Sequence, residues 1–177
     1  YIGTIDKQRG VDILLEALKM LPAMFLLRLV ERKRNEEGVD PKWLDKYINH
    51  PKLKGRIELK IENPINDVVK EIDQCDILIQ TASSDLQYSR YGVPLKAFCY
   101  MNRGKPIVVA DVPCFHEFFH NGINAQYYNL NPRSLADSIL FLVRHPQMAE
   151  KIAQGALEQS EKFDLSHRVE KILSLVR

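Results

Sequence analysis

Short apolar runs of strand length alternate with longer stretches of helical periodicity along most of the chain. That alternation restricts the fold more than any other feature. Val11, Leu14, Leu18 and Leu21 recur at helical spacing, and Pro22 closes the stretch. Residues 25–30 form an apolar run, and residues 56–62 (RIELKIE) alternate apolar and charged positions as a strand with one wet face does. Between them, Pro41 is placed to open a helix through Trp43, Leu44 and Tyr47. Asn66 and Asp67 open a helix carrying Val68, Val69 and Ile72, and residues 76–81 (DILIQT) follow as a buried strand.

The second half repeats the pattern. Pro94 stands in the first turn of a helix to about Arg103, with Gly104 as its stop, and residues 106–110 (PIVVA) read as a β-branched strand. Residues 115–119 read as a short helix ended by Asn121 and Gly122. Asn131 and Pro132 open a helix carrying Leu135, Ile139 and Leu142, and residues 147–162 and 166–176 read as two more. Strands alternating with helices specify parallel βαβ units, hence an α/β, doubly wound, Rossmann-like three-layer domain with a parallel sheet of about five or six strands. No 20–50-residue repeat is present, which excludes a solenoid.

Composition removes several function classes. Lys plus Arg number 25 against 23 for Asp plus Glu, a net charge of +2, so no polybasic nucleic-acid surface is expected. No apolar run reaches the ~18 residues of a membrane span; residues 25–30 are interrupted by Arg28. Cys75, Cys99 and Cys114 are odd in number and widely spaced, and read as free thiols in a reducing, cytoplasmic setting. The chain opens on Tyr1-Ile2-Gly3, at what reads as the end of a strand, and is expected to be a piece of a longer polypeptide.

In a doubly wound sheet ligands bind beyond the carboxyl ends of the strands, which nominates loops 3–10, 30–38, 61–64, 81–94 and 110–115. The first carries Lys7, Arg9 and Gly10 immediately before a helix, a pattern whose spacing alone reads first as a solvated βα turn and second as an anion site. Neither GxGxxG nor GxxxxGK[ST] is present. In 83–106, Gly92 and Pro94 enter a helix whose first turn holds Lys96. A cation there opposes the helix dipole unless an anion shares the site. Cys99 and Tyr100, three and four positions on, are expected on the face of Lys96. His116-Glu117-Phe118-Phe119-His120 literally fits the zincin pattern, but a short helix ended by Asn121-Gly122 is the better reading, and no metal is expected.

Tyr1-Ile2-Gly3 with residues 7–12 (KQRGVD), residues 76–79 before Ser83-Ser84, and above all Tyr91-Gly92-x-Pro94-x-Lys96-x-Phe98-x-Tyr100-Met101-x-x-Gly104-Lys105-Pro106-Ile107-Val108 resemble the C-terminal half of GT-B glycosyltransferases of the glycosyl transferases group 1, or family four, type. His116-Glu117 and Asn121-Gly122 resemble the segment that follows in that family. The likeness runs through the whole chain. It implies one nucleotide-sugar-binding domain over 1–177, with an acceptor domain of the same polypeptide before it and the last helix packing toward that missing half. It implies a transferase moving sugar from UDP-sugar or GDP-sugar onto a polysaccharide or glycolipid, with no cofactor and with peripheral membrane association of the intact enzyme; the piece alone would be inactive.

The resemblance implies that Arg9 and Lys96 face the donor diphosphate, two cations suiting a leaving nucleoside diphosphate without a metal. It puts Thr4, Ile61, Asn63, Tyr91, Gly92, Cys99 and Tyr100 around the nucleoside and sugar, and it assigns no catalytic residue. The sequence also departs from the family pattern. Thr4 replaces an arginine, Tyr91 and Cys99 replace two glutamates eight apart, and Val30-Glu31-Arg32 replaces a glycine-rich turn. A thiol is a poor substitute for a carboxylate accepting ribose hydroxyls. The alternative is therefore a non-catalytic interaction or regulatory module whose donor site has decayed.

Overall fold

The computed structural model of the chain describes residues 1–32, 41–62, 65–83, 95–163 and 173–174. Strands and helices alternate as the periodicity requires. They are α1 (Val11–Leu18), β1 (Leu27–Arg32), α2 (Pro41–Ile48), β2 (Ile57–Glu62), α3 (Ile65–Asp73), β3 (Leu78–Gln80), α4 (Leu95–Met101), β4 (Ile107–Ala110), β5 (Gln126–Tyr128), α5 (Pro132–Arg144) and α6 (Pro146–Glu161). Short 3-10 turns cover Lys7–Arg9 and Pro113–Phe115.

Every strand pairing among the described residues is parallel. β1 runs beside β2 from Leu27 opposite Ile57 to Arg32 opposite Glu62. β4 lies between β3 and β5, with Leu78 opposite Ile107 and Ala110 opposite Tyr128. The single sheet expected from the sequence is divided here into a two-stranded and a three-stranded sheet. Among the described residues, Tyr1–Gly3 lies parallel beside β1. Gly3 N–H donates to Val30 O and Val30 N–H to Tyr1 O, each at 2.9 Å.

All four residues of β4 are fully buried. Because successive side chains of a strand point to opposite faces, that pattern requires cover on both sides, the mark of a parallel sheet sandwiched by helices. α5 packs on β4, β5 and α1, while α6 packs on β4 and α4, and α3 lies against β1 and β2. α5 buries Leu135, Ala136, Ile139 and Leu142 as one stripe. Its start is set locally: the Asn131 side-chain oxygen accepts from Ser134 N–H at 2.8 Å and Pro132 takes the first helical position.

Two sequence expectations are corrected. β5 was not foreseen; three residues are too few to show alternation, and its partner β4 alone defines it. The helix expected at 115–119 is a 3-10 turn ending at Phe115, followed by irregular turns, so His116 and His120 do not share a helical face. The helix expected over 166–176, along with any packing toward a further half, lies outside the described residues, apart from a helical pair at 173–174.

Candidate functional site

The carboxyl edge of the sheets is built around the loop leaving Gly3. Asp6 opens the 3-10 turn by accepting from Arg9 N–H at 2.7 Å, and Gly10 closes it in the left-handed region at φ 73°. A Cβ at Gly10 would lie 2.1 Å from the Ala82 carbonyl oxygen, so only glycine lets this turn press on the chain leaving β3. The Thr81 hydroxyl donates to Arg9 O at 2.6 Å and ties the same two segments. Loop 3–10 is thus fixed to the end of β3 by a contact and a hydrogen bond, and Arg9 is carried on that fixture.

Lys96, on α4, arrives from the other side. Its ammonium sits over the ring of Tyr1, 3.9 Å from the centroid. A Cβ at Gly3, where φ is 128°, would come within 3.0 Å of the same nitrogen. Burial, and next the positive charge of Arg9, hold the Lys96 pKa down to about 7, with Asp6 opposing them. The structure therefore brings Arg9 and Lys96 within electrostatic reach across 87 positions of sequence, with Arg9 exposed and Lys96 half-buried. Two basic side chains brought this close, one of them lodged on an aromatic face, are an arrangement that suits an anionic ligand. Tyr1 is itself fixed: its hydroxyl donates to Thr4 O at 2.8 Å, and burial raises its pKa.

The remaining expected positions separate. Thr4 is exposed at the edge beside Gly3, where its carbonyl holds Tyr1. Ile61 is 61% exposed near the carboxyl end of β2. Cys99 is exposed on α4, but Tyr100 is fully buried, and its hydroxyl accepts from Ile2 N–H at 2.9 Å. The expected common face is corrected accordingly. Positions three and four on from Lys96 fall on opposite sides of it, about 100° apart, so Cys99 turns to solvent and Tyr100 to the core. Asn63, Tyr91 and Gly92 lie outside the described residues.

Tyr1, Asp6 and Thr81 belong to this site, and the sequence reading passed over them. An aspartate three residues before Arg9 is a legible turn signal; nothing local announces that Tyr1 would carry a lysine from α4. One strand further along the same edge, His116 Nε2 lies 2.7 Å from Asp111 Oδ1 and its ring stacks on Tyr127 at 5.5 Å. His120 turns its Nδ1 to Phe119 O instead, at 2.7 Å, so the two histidines have separate partners.

The family model described as glycosyl transferases group 1 matches residues 1–159. A Methanocaldococcus jannaschii protein described as an uncharacterized glycosyltransferase is 23% identical over 164 residues, 92% of this chain and 43% of the relative. Anabaena HepE, solved in complex with UDP-glucose, superposes with a TM-score of 0.84 at 22% identity, over 99% of this chain and 48% of HepE. The C-terminal domain of a glycosyl transferase group 1 family protein, LpcC, from Francisella tularensis gives a TM-score of 0.77 at 16% identity, over 93% of this chain and 85% of that domain. The chain thus spans under half the length of the first two and nearly all of the third. Its fold is the Rossmann-like α/β arrangement of the GT-B glycosyltransferases.

Proposed function

From the premise that this chain belongs to the glycosyl transferases group 1 family, we propose that it is the nucleotide-sugar-binding part of a glycosyltransferase. The observation that carries this reading is the pairing of Arg9 and Lys96 at the carboxyl edge of the sheets. The bound UDP-glucose of HepE supports a nucleotide sugar as the ligand. In this reading the two cations hold the diphosphate and neutralise the charge that grows on it as the sugar leaves. Thr81 and Gly10 keep Arg9 in place, and Tyr1 keeps Lys96 in place. Ile61 stands on the nucleobase side, and Cys99 stands near the ribose. The acceptor, a polysaccharide or glycolipid, is held by a preceding domain of the same polypeptide, and the intact enzyme works in the cytoplasm or at its membrane surface. Among the described residues, no helix is long and apolar enough to cross a membrane.

The test is a titration with UDP, GDP, ADP and TDP by calorimetry, on the intact polypeptide as well as on residues 1–177. UDP or GDP binds, and Lys96→Ala weakens that binding about tenfold or more, because a charge-assisted contact to phosphate is lost. Cys99→Glu leaves binding intact or improves it by restoring a ribose acceptor. Absence of binding for every nucleotide at millimolar concentration in the intact polypeptide favours the non-catalytic module. Binding that ignores Lys96→Ala overturns the residue assignment.

A further inference from the structure

β2 ends its sheet: β1 runs along one side of it, and among the described residues no strand lies along the other. The direction of its free groups follows from the ladder. Leu27 N–H donates to Arg56 O at 2.8 Å, so Leu27 and Leu29 turn their backbone groups to β2, and Arg56, Glu58 and Lys60 return theirs to β1. By alternation the N–H and C=O of Ile57, Leu59 and Ile61 point out along the open edge. Leu59 and Ile61 are 41% and 61% exposed, and Glu58 and Lys60 also reach solvent. We propose that this edge is a self-association surface, on which the β2 strands of two copies pair antiparallel about a two-fold axis at Leu59.

Backbone direction and charge together select that register. Directly opposed residues of an antiparallel pair both turn their backbone groups to the partner or both away, so an odd position meets an odd one and an even position an even one. A two-fold at Glu58 sets two Glu58 carboxylates face to face, and a two-fold at Lys60 does the same with two ammoniums. Two-folds nearer either end leave part of the strand unpaired. A two-fold at Leu59 sets Leu59 on Leu59, Ile57 on Ile61 and, on the other face, Glu58 on Lys60 from each copy. Every outward N–H and C=O of the three apolar residues then finds a partner. Open edges are commonly guarded by charge that repels a second copy; here opposite charges two residues apart cancel that guard. Arg28 Nε holds the Glu58 carboxylate by Oε2 at 2.9 Å, so the acceptor for a second copy's Lys60 is in place beforehand. The pairing covers aliphatic side chains that the edge leaves in water. Because both copies use the same patch, the assembly closes as a dimer, with β1 and β2 of both in one continuous sheet.

Sedimentation velocity on the full polypeptide, over a concentration series, tests the proposal. Monomer gives way to dimer as concentration rises. Glu58→Lys and Lys60→Glu each put like charges across the two-fold, and each weakens self-association about tenfold or more. Mixing the two variants restores it, since every charge then faces its opposite, and so does combining both substitutions in one chain. Damage to the fold by either substitution is not rescued by mixing. In a cysteine-free background, Leu59→Cys forms a disulfide-linked dimer under mild oxidation, because directly opposed residues lie within reach of a disulfide. Lys60→Cys does not. A monomer at every concentration overturns the proposal, as does a dimer indifferent to all these changes. Cross-linking through Lys60→Cys in place of Leu59→Cys overturns the register and the proposal with it. Slowed hydrogen exchange at the Leu59 amide only when a different protein is bound gives the edge to another partner and overturns it too. None of these readouts depends on nucleotide binding, so this inference and the function proposed above fail separately.

Discussion

The Lys96 ammonium on the face of Tyr1 gives this molecule a charge that changes near neutrality. In the unfolded chain a lysine keeps its proton to about pH 10.5, whereas in the fold Lys96 releases it from about pH 7. Across that window the unfolded state binds more protons, so stability rises with pH and levels off above it. Denaturant midpoints measured from pH 6.5 to 10.5 show this rise, and Lys96→Met flattens it. An anion that favours the ammonium reverses the balance: above pH 7, nucleotide binding takes up a proton and weakens as pH climbs. Calorimetry in two buffers of different ionisation enthalpy reads that uptake. Gly10→Ala acts through the backbone. It strains a left-handed position and drives a methyl into the Ala82 carbonyl, for a cost of at least about 2 kcal/mol in chemical denaturation. Arg9 and Lys96 stood out in the sequence as cations beside a glycine and in a first helical turn, and the fold brings the two within electrostatic reach. Tyr1 and Thr81 were not, since their roles exist only once segments 70 and more residues apart have met.

Elements with strong local signals formed where the sequence placed them. Asn131-Pro132 starts α5 by a cap that needs no tertiary help, and Asn131→Ala lowers stability by about 1 kcal/mol, read as a shifted denaturation midpoint. Elements defined by partners did not announce themselves. β5 exists because β4 lies beside it, and the HExxH spacing yielded to a 3-10 turn since Pro113 and the burial of Phe115, Phe118 and Phe119 dictate the path there. The loop between α1 and β1 is held by a residue that reads in sequence as the charged edge of a strand. Arg56, 9% exposed, donates to the carbonyls of Phe25 at 3.0 Å, Lys52 at 3.0 Å, Leu21 at 3.3 Å and Pro22 at 2.8 Å. Removing it strands four acceptors, so Arg56→Met destabilises by about 2–4 kcal/mol. Thermal denaturation checks this, and Arg56→Lys recovers only part of the loss because an ammonium cannot span the four carbonyls at once.

At the scale of the whole molecule, the proposed nucleotide and the fold are linked by mass action. A nucleoside diphosphate at 100 times its dissociation constant adds about 2.7 kcal/mol, which raises the melting temperature of a chain this size by roughly 5–10 °C. Differential scanning fluorimetry reads that shift, and a roughly tenfold loss of affinity in Lys96→Ala cuts it to about half or less. The alternation of strands and helices was sufficient to foresee layers and strand direction. The division into two sheets was not foreseeable, because which strands pair is settled by long-range packing that no local pattern encodes. The contact of Gly10 on Ala82, with the Thr81 to Arg9 bond beside it, has a mechanical consequence. It pins the turn that carries Arg9 onto the end of β3, so Arg9 and that strand end can shift only together. A substitution that loosens either the Gly10 turn or the Thr81 bond therefore displaces Arg9 without touching its side chain.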